Sequence, residues 1–170
     1  MGTARNKPFD ALELLTSQHA EVDQLIARLE DEEMSADRKQ FVFFELADKI
    51  AAHAAMEEQL FYPAVRAQQT EELLLESTEE HLSIKRVLAD LLETDLDDAR
   101  FDAKLKVLKE QLDHHAHAEE ENELFPKLRR LMPAEQLVAL GGEMLALFEQ
   151  LITTQPRKQI RKETREPAEL

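Results

Sequence analysis

The chain has no cysteine and no tryptophan, one tyrosine and only three glycines among 170 residues. Without cysteine, disulfides, thiolate metal sites and cysteine nucleophiles are excluded. Scarce glycine and few β-branched residues, set against abundant Glu, Leu, Ala and Lys, describe a helical composition. Basic residues are in short supply as well: 21 Lys and Arg face 36 Asp and Glu, for a formal net charge of −15 and a pI near 4.8. Such a surface repels the phosphates of nucleic acid and an anionic membrane face. No apolar run is long enough to span a bilayer, and the opening MGTARNKPFD lacks the apolar core of a signal peptide. Asn6 breaks the myristoylation pattern. The expectation is a cytoplasmic protein of one domain, with a core of ordinary size.

What the chain does have is a pattern stated twice. In AAHAAMEEQLFYP, His53 and Glu57 are four residues apart and share one helix face with Leu46, Ile50, Leu60 and Ala64. An imidazole and a carboxylate aimed into an apolar core are costly unless paired, and a metal cation suits both. An offset of 62 carries His19 onto His81, His53 onto His115 and Glu57 onto Glu119. The same offset carries Leu12 onto Leu74, Val22 onto Ile84, Ile26 onto Leu88, Leu46 onto Leu108 and Ile50 onto Leu112. Repetition at a fixed period organises the rest of the reading.

Residues 1–8 read as a loose start, with Asp10 as a helix cap. Apolar periodicity then predicts helices over about 10–30, 36–67, 71–93, 98–132 and 134–153. Ser35 and Thr70 stand as caps for the second and third, and Pro133 opens the fifth. Gly141-Gly142 is expected to weaken or bend that last helix. The polar, mixed-charge stretch 154–170 reads as a disordered tail, leaving 1–153 as the domain. Two hairpins of matching length predict an all-α, up-down-up-down four-helix bundle with a C-terminal fifth helix. The four histidines His19, His53, His81 and His115 lie at similar distances from their hairpin turns, so they meet near mid-bundle.

A lone His19, the run His53-x-x-x-Glu57 leading to LFYP, a lone His81 and the run DHHAHAEEENELFP together resemble the hemerythrin-like, HHE cation-binding proteins over about residues 10–132. The resemblance implies a non-haem di-iron centre inside the bundle, two iron ions bridged by carboxylates and capped by histidines. It implies a small diatomic ligand or peroxide as partner: dioxygen, nitric oxide or peroxide bound, reacted with or sensed. Carried over by position, the metal ligands would be His19, His53, Glu57, His81 and His115, with Glu119 or Glu120. Imidazole and carboxylate without thiolate suit iron, and also zinc or manganese. Met56, Phe43, Phe44 and Phe61 are candidates for the lining of an apolar ligand pocket.

Two departures from the family matter. Oxygen-carrying hemerythrins resemble this chain but place a second histidine one turn after the one on the third helix, where Lys85 stands here. That puts reversible oxygen carriage in doubt. In the fourth helix the apolar stripe Leu105, Leu108, Leu112 leads to His115, and the offset of 62 selects Glu119. Pro63 and Pro126, however, are 63 apart, which selects Glu120. One residue has entered between, and a single π-bulge there would absorb it. His117 with Glu121 has the local spacing but matches neither offset, and at about 100° per residue it faces away from His115. His114 is expected to be exposed, and Tyr62 to pack at a helix end in preference to bonding a ligand.

Three functions compete: a gas-binding or sensing metalloprotein; a di-iron enzyme that decomposes peroxide or oxidises iron, or an iron-storage protein; and a metal-free interaction bundle. The residues three before each histidine are Thr16, Ile50, Thr78, Gln111, Leu112 and His114, so the Glu-x-x-His motif of ferritin-like sites is absent. The repeated His/Glu register argues against the metal-free bundle.

Overall fold

In the computed structural model, which describes residues 9–170, the chain is all-helical, with no strand among the described residues. The expected loose start over 1–8 lies outside them. Helix α1 (Ala11–Leu29) turns into α2 (Ala36–Met56), which continues through a π-helical turn (Glu57–Phe61) into α3 (Tyr62–Val65). Helix α4 (Glu71–Leu92) turns into α5 (Ala99–Asp113), and an 11-residue π-helical stretch (His114–Leu124) joins α5 to α6 (Phe125–Leu131). Helix α7 (Ala134–Ile152) follows, then a 3₁₀ turn (Pro156–Gln159) and a last turn, α8 (Ile160–Glu163). No single helix among them is long and apolar enough to cross a membrane.

The caps differ in quality. Asp10 accepts the backbone N–H groups of Leu12 and Glu13 at 3.0 and 2.9 Å, and Glu13 accepts Asp10 N–H at 3.1 Å, a reciprocal capping box. Ser35 stands at the cap position of α2 but makes no cap hydrogen bond. Thr70 does not cap α4 with its side chain either; its hydroxyl donates to Val65 O at 2.9 Å and accepts Ala67 N–H at 2.9 Å, which ties the preceding turn together.

Helix α1 packs on α2 and α4 on α5, while α7 lies against both α1 and α2. Two apolar clusters result. One gathers Val22, Ile26, Leu46, Ile50, Leu88, Phe101 and Leu108; the other gathers Leu12, Leu15, Met56, Phe61, Leu74, Leu124 and Leu140. In each long helical segment the change from one cluster to the other falls at the repeated histidine. The polar residues thus form a layer between two apolar halves.

Residues 154–170 do not behave as a disordered tail. Gln155 takes a left-handed φ of 54°, which turns the chain, and Arg157 then pairs with Asp48 and lies over the Phe44 ring at 4.4 Å. Ile160 is fully buried in the first cluster. The stretch is polar on average, yet its single isoleucine anchors it; mean composition hid one well-placed apolar side chain.

Helix α7 runs without interruption through Gly141-Gly142. A Cβ at Gly141 would lie 2.7 Å from Ala11 N and 2.8 Å from Asp10 C, whereas one at Gly142 meets nothing within 4 Å. Gly141 is therefore where α7 touches the start of α1 backbone to backbone. Gly141→Ala should destabilise by roughly 1–3 kcal/mol through forced displacement. Gly142→Ala should stabilise by up to about 1 kcal/mol through helix propensity. Urea midpoints of the two variants check the opposite signs; equal shifts would show that the contact at Gly141 is not what holds it.

Candidate metal centre

Each of the four long helical segments contributes to the polar layer. His19 comes from α1, His53 from α2 with Glu57 at the head of the first π turn, His81 from α4, and His115 with Glu120 from the second π stretch. His19, His53, Glu57 and Glu120 bring one ligand atom each within 4.8 Å of one another, and so do Glu57, His81 and His115. Glu57 belongs to both groups. Both Glu57 and Glu120 are 0 % exposed.

All four imidazoles are held in the same sense. Nδ1–H of His19 donates to Glu121 at 2.7 Å, that of His53 to Gln18 Oε1 at 2.7 Å, that of His81 to Glu58 at 2.9 Å and that of His115 to Glu80 at 2.7 Å. An oxygen acceptor on Nδ1 sets the tautomer and leaves Nε2 facing inward. There, Nε2 of His53 and of His19 approach Glu57 and Glu120 to 3.3 Å without hydrogen-bond alignment. His19 Nε2, His53 Nε2, both Glu57 oxygens and Glu120 Oε2 are all buried without a hydrogen-bond partner. Buried polar atoms are rarely left so, and five of them converging is the condition a cation relieves. On this chemistry the residues fit a metal.

Where no cation balances them, the carboxylates draw protons onto the imidazoles. Burial opposes charge on His19, but the Glu120 and Glu121 carboxylates beside it outweigh that and raise its pKa to about 10. His81 follows, its burial outweighed by Glu57 and Glu58, to about 9. His115 goes the other way, to about 4, because burial is only partly offset by Glu120 and the neighbouring His81 repels a second charge. Glu57, despite complete burial, is held well below the usual carboxylate range by His53 and His81.

The register of the fourth segment is resolved by the π geometry. His115 and Glu120 are five apart, which the wider π turn stacks on one face as four apart stacks in an α-helix. The expected extra residue is thus absorbed as π-helix, but over 11 residues, and a shorter π turn occurs in the first copy too, where none was foreseen. Glu119 is not in the layer; it points to Glu80 and His114, with its Oε1 3.0 Å from His114 Nε2. His117 is 38 % exposed and bonded to Asp23 at 2.9 Å and Glu121 at 3.1 Å.

Tyr62 was expected to pack at a helix end; instead it is fully buried against the layer. Its hydroxyl donates to Glu120 Oε1 at 3.1 Å and lies 3.2 Å from His81 Nε2. Its pKa is pushed well above normal by burial and by Glu120 and Glu57, so it stays a phenol. An apolar cavity of about 30 Å³ opens beside the layer, walled by His19, Val22, Ile50, His53, Leu112 and Ala116 among others. None of Phe43, Phe44, Met56 or Phe61 lines it. Phe43 packs edge-on against Phe101, far along the first cluster, and the ring stacked on His19 is Phe125.

The family model of the hemerythrin HHE cation binding domain matches residues 10–128. The chain belongs to that family. A crystal structure of a hemerythrin HHE cation binding domain-containing protein from Mycobacterium kansasii superposes with a TM-score of 0.77 at 24 % identity, covering 92 % of this chain and 94 % of that one. At that identity the likeness speaks for the fold. No curated protein matches the chain.

Within this hemerythrin-type frame, Lys85 does not enter the layer. Its ammonium ion is bonded to both Glu58 oxygens at 3.0 Å and to Glu163 of α8 at 3.0 Å, so it braces the acceptor that orients His81. The four acceptors themselves, Gln18, Glu58, Glu80 and Glu121, were missed by sequence reasoning. The repeat carried the signal: Gln18 and Glu80 are 62 apart, Glu58 and Glu121 are 63 apart, and each adjoins a residue of the layer.

The pKa shifts predict how the metal-free protein responds to pH. Raised folded-state values at His19 and His81 give stability that is complete below the ordinary 6.5 and is lost as pH climbs through about 9 and 10. The lowered value at His115 gives stability that is present above 6.5 and lost as pH falls through about 4. Denaturant midpoints of chelator-treated protein should therefore peak near pH 6.5 and decline on both sides. A profile still rising at pH 9 would contradict the pairing of His19 and His81 with the buried carboxylates.

Proposed function

We propose that the protein is a non-haem di-iron protein that reacts with dioxygen, nitric oxide or peroxide, as a sensor or in a stress response in the cytoplasm. In this reading the helices form an up-down-up-down bundle, with α7 laid along α1 and α2. The observation that carries it is the set of inward Nε2 atoms and unpartnered carboxylate oxygens, divided into two groups that share Glu57. One ion would be held by His19, His53, Glu57 and Glu120, the other by His81, His115 and Glu57. An iron pair, when bound, supplies redox chemistry toward small oxidising ligands; zinc or manganese would fill the same donors without it.

The chain's own residues support that use in specific ways. The cavity beside His19, His53 and His115 has room for a diatomic molecule or peroxide and little more, and its walls are apolar. Tyr62 offers a hydroxyl donor at the layer, placed to donate a hydrogen bond to Glu120. Carboxylate acceptors behind His19 and His81 make those imidazoles more basic, which favours the higher oxidation state of an ion they hold. Peroxide decomposition is the second reading, favoured by the phenol close to the layer; iron storage is not favoured, since the donors suffice for two ions.

Metal content separates the candidate ligands. Glu120→Gln and His115→Ala should lose at least half of the bound metal, while His117→Ala should keep it all, as read by elemental analysis of protein from its native host. Wild-type protein that folds normally with no metal would end the di-iron reading. If the wild type binds two ions, repeated oxygenation tests the role of Lys85. With Lys85 directed to Glu58, most of any oxygenated spectrum should be lost to oxidation within a few cycles in air; stable reversible oxygenation would instead identify a carrier.

A further inference from the structure

The two hairpins differ in ionisable side chains at one corner of the layer. Where the first has Gln18, Ala52 and Met56, the second has Glu80, His114 and Glu119, taken at the offsets of 62 and 63 that align their neighbours. Three neutral positions have thus become ionisable, and the fold brings all three together: Glu80, His114 and Glu119 each place a ligand atom within 4.8 Å of the others. His114 Nε2 is 3.2 Å from Glu80 Oε1 and 3.0 Å from Glu119 Oε1.

Packing does not explain the substitution. Met56, the counterpart of Glu119, is a fully buried apolar residue, and Glu119 is itself only 9 % exposed. Its Oε2 is shut from water and has no hydrogen-bond donor. Two adjoining carboxylates, one with a buried bare oxygen, repel each other unless a positive charge lies between them. His114 is 60 % exposed and opens the corner to solvent. Two carboxylates and an imidazole, without thiolate, make a donor set for a divalent first-row cation.

We propose that Glu80, His114 and Glu119 form an outer cation site, through which a divalent first-row metal ion passes on its way to the polar layer. Glu80 gives the site its direction: one oxygen faces His114, and the other accepts His115 Nδ1–H at 2.7 Å. A cation held outside is therefore one carboxylate and one imidazole away from the inner donors. The pre-loading role rests on the di-iron reading of the layer; the existence of the outer site does not.

The test is a Mn²⁺ titration, followed by the EPR signal of the free ion, of the protein with its two inner metal ions in place. The wild type should take up one further Mn²⁺ per chain. His114→Ala, at an exposed position that cannot disturb the core, should weaken that uptake about tenfold or more. Glu119→Gln, which keeps the shape, should abolish it, and both variants should retain the inner ions but reload them more slowly after chelation. If the carboxyls merely share a proton, the wild type will take up no third ion and the proposal falls; it falls equally if both variants bind Mn²⁺ as the wild type does. Should Glu119→Gln fail to fold, His114→Ala alone decides. Protein isolated without inner ions would count against the di-iron reading, and Mn²⁺ titration of that metal-free protein would still reveal the outer site as the one binding event His114→Ala weakens.

Discussion

Two carboxylates sealed in the middle of an apolar interior, with only one of their four oxygens given a hydrogen-bond donor, are the constraint on which the rest of this structure depends. Removing each from water costs on the order of several kcal/mol, and among the described residues no lysine or arginine pairs with Glu57 or Glu120 to offset it. Apart from the Tyr62 hydroxyl on Glu120, the groups that reach them are imidazoles, either as charged partners in the metal-free protein or as fellow ligands around a cation. A cation would release the protons that His19 and His81 otherwise hold. The apolar clusters on either side exclude water from the layer and so keep this electrostatic demand strong.

The supports of the layer follow the internal repeat and cross between its elements. Gln18 on α1 orients His53 on α2, as Glu80 on α4 orients His115 in the other hairpin; Glu58 orients His81, as Glu121 orients His19. The crossing ties the two hairpins to each other through their second pair of bonds. The symmetry is imperfect in a way that has chemical consequences. His53 leans on a neutral amide where its counterpart leans on a carboxylate, so the two imidazoles are oriented by different acceptors. The second half is also braced from outside by Lys85 and Glu163, which joins α8 to the support of His81.

Much of this was legible along the chain because helices make periodicity visible. The His/Glu pairs sit in phase with Leu and Ile at three- and four-residue steps, and that phase alone separates His115 from His117. It could not separate Glu119 from Glu120. The choice depends on where the helix widens to π geometry, and a π turn is selected by what its side chains must meet across the core, not by local preference. The same limit explains Tyr62. Its neighbours in the chain mark a helix end, while its hydroxyl partners, His81 and Glu120, are 19 and 58 residues away. Composition misled at residues 154–170, where a single isoleucine finds a place in the core.

The sequence by itself determined the all-helical class, the twofold repetition and the identity of the four histidines and Glu57 as one set. Those properties are carried by spacing, and spacing on a helix is geometry. Tertiary structure decided which carboxylate completes the set, which residues orient the imidazoles, that Lys85 turns outward and that Glu119 leaves the layer for a corner of its own. Those outcomes depend on distances between helices that no single helix encodes, because a hydrogen bond or a ligand sphere is satisfied across the core by whichever side chain the packing brings within about 3 Å.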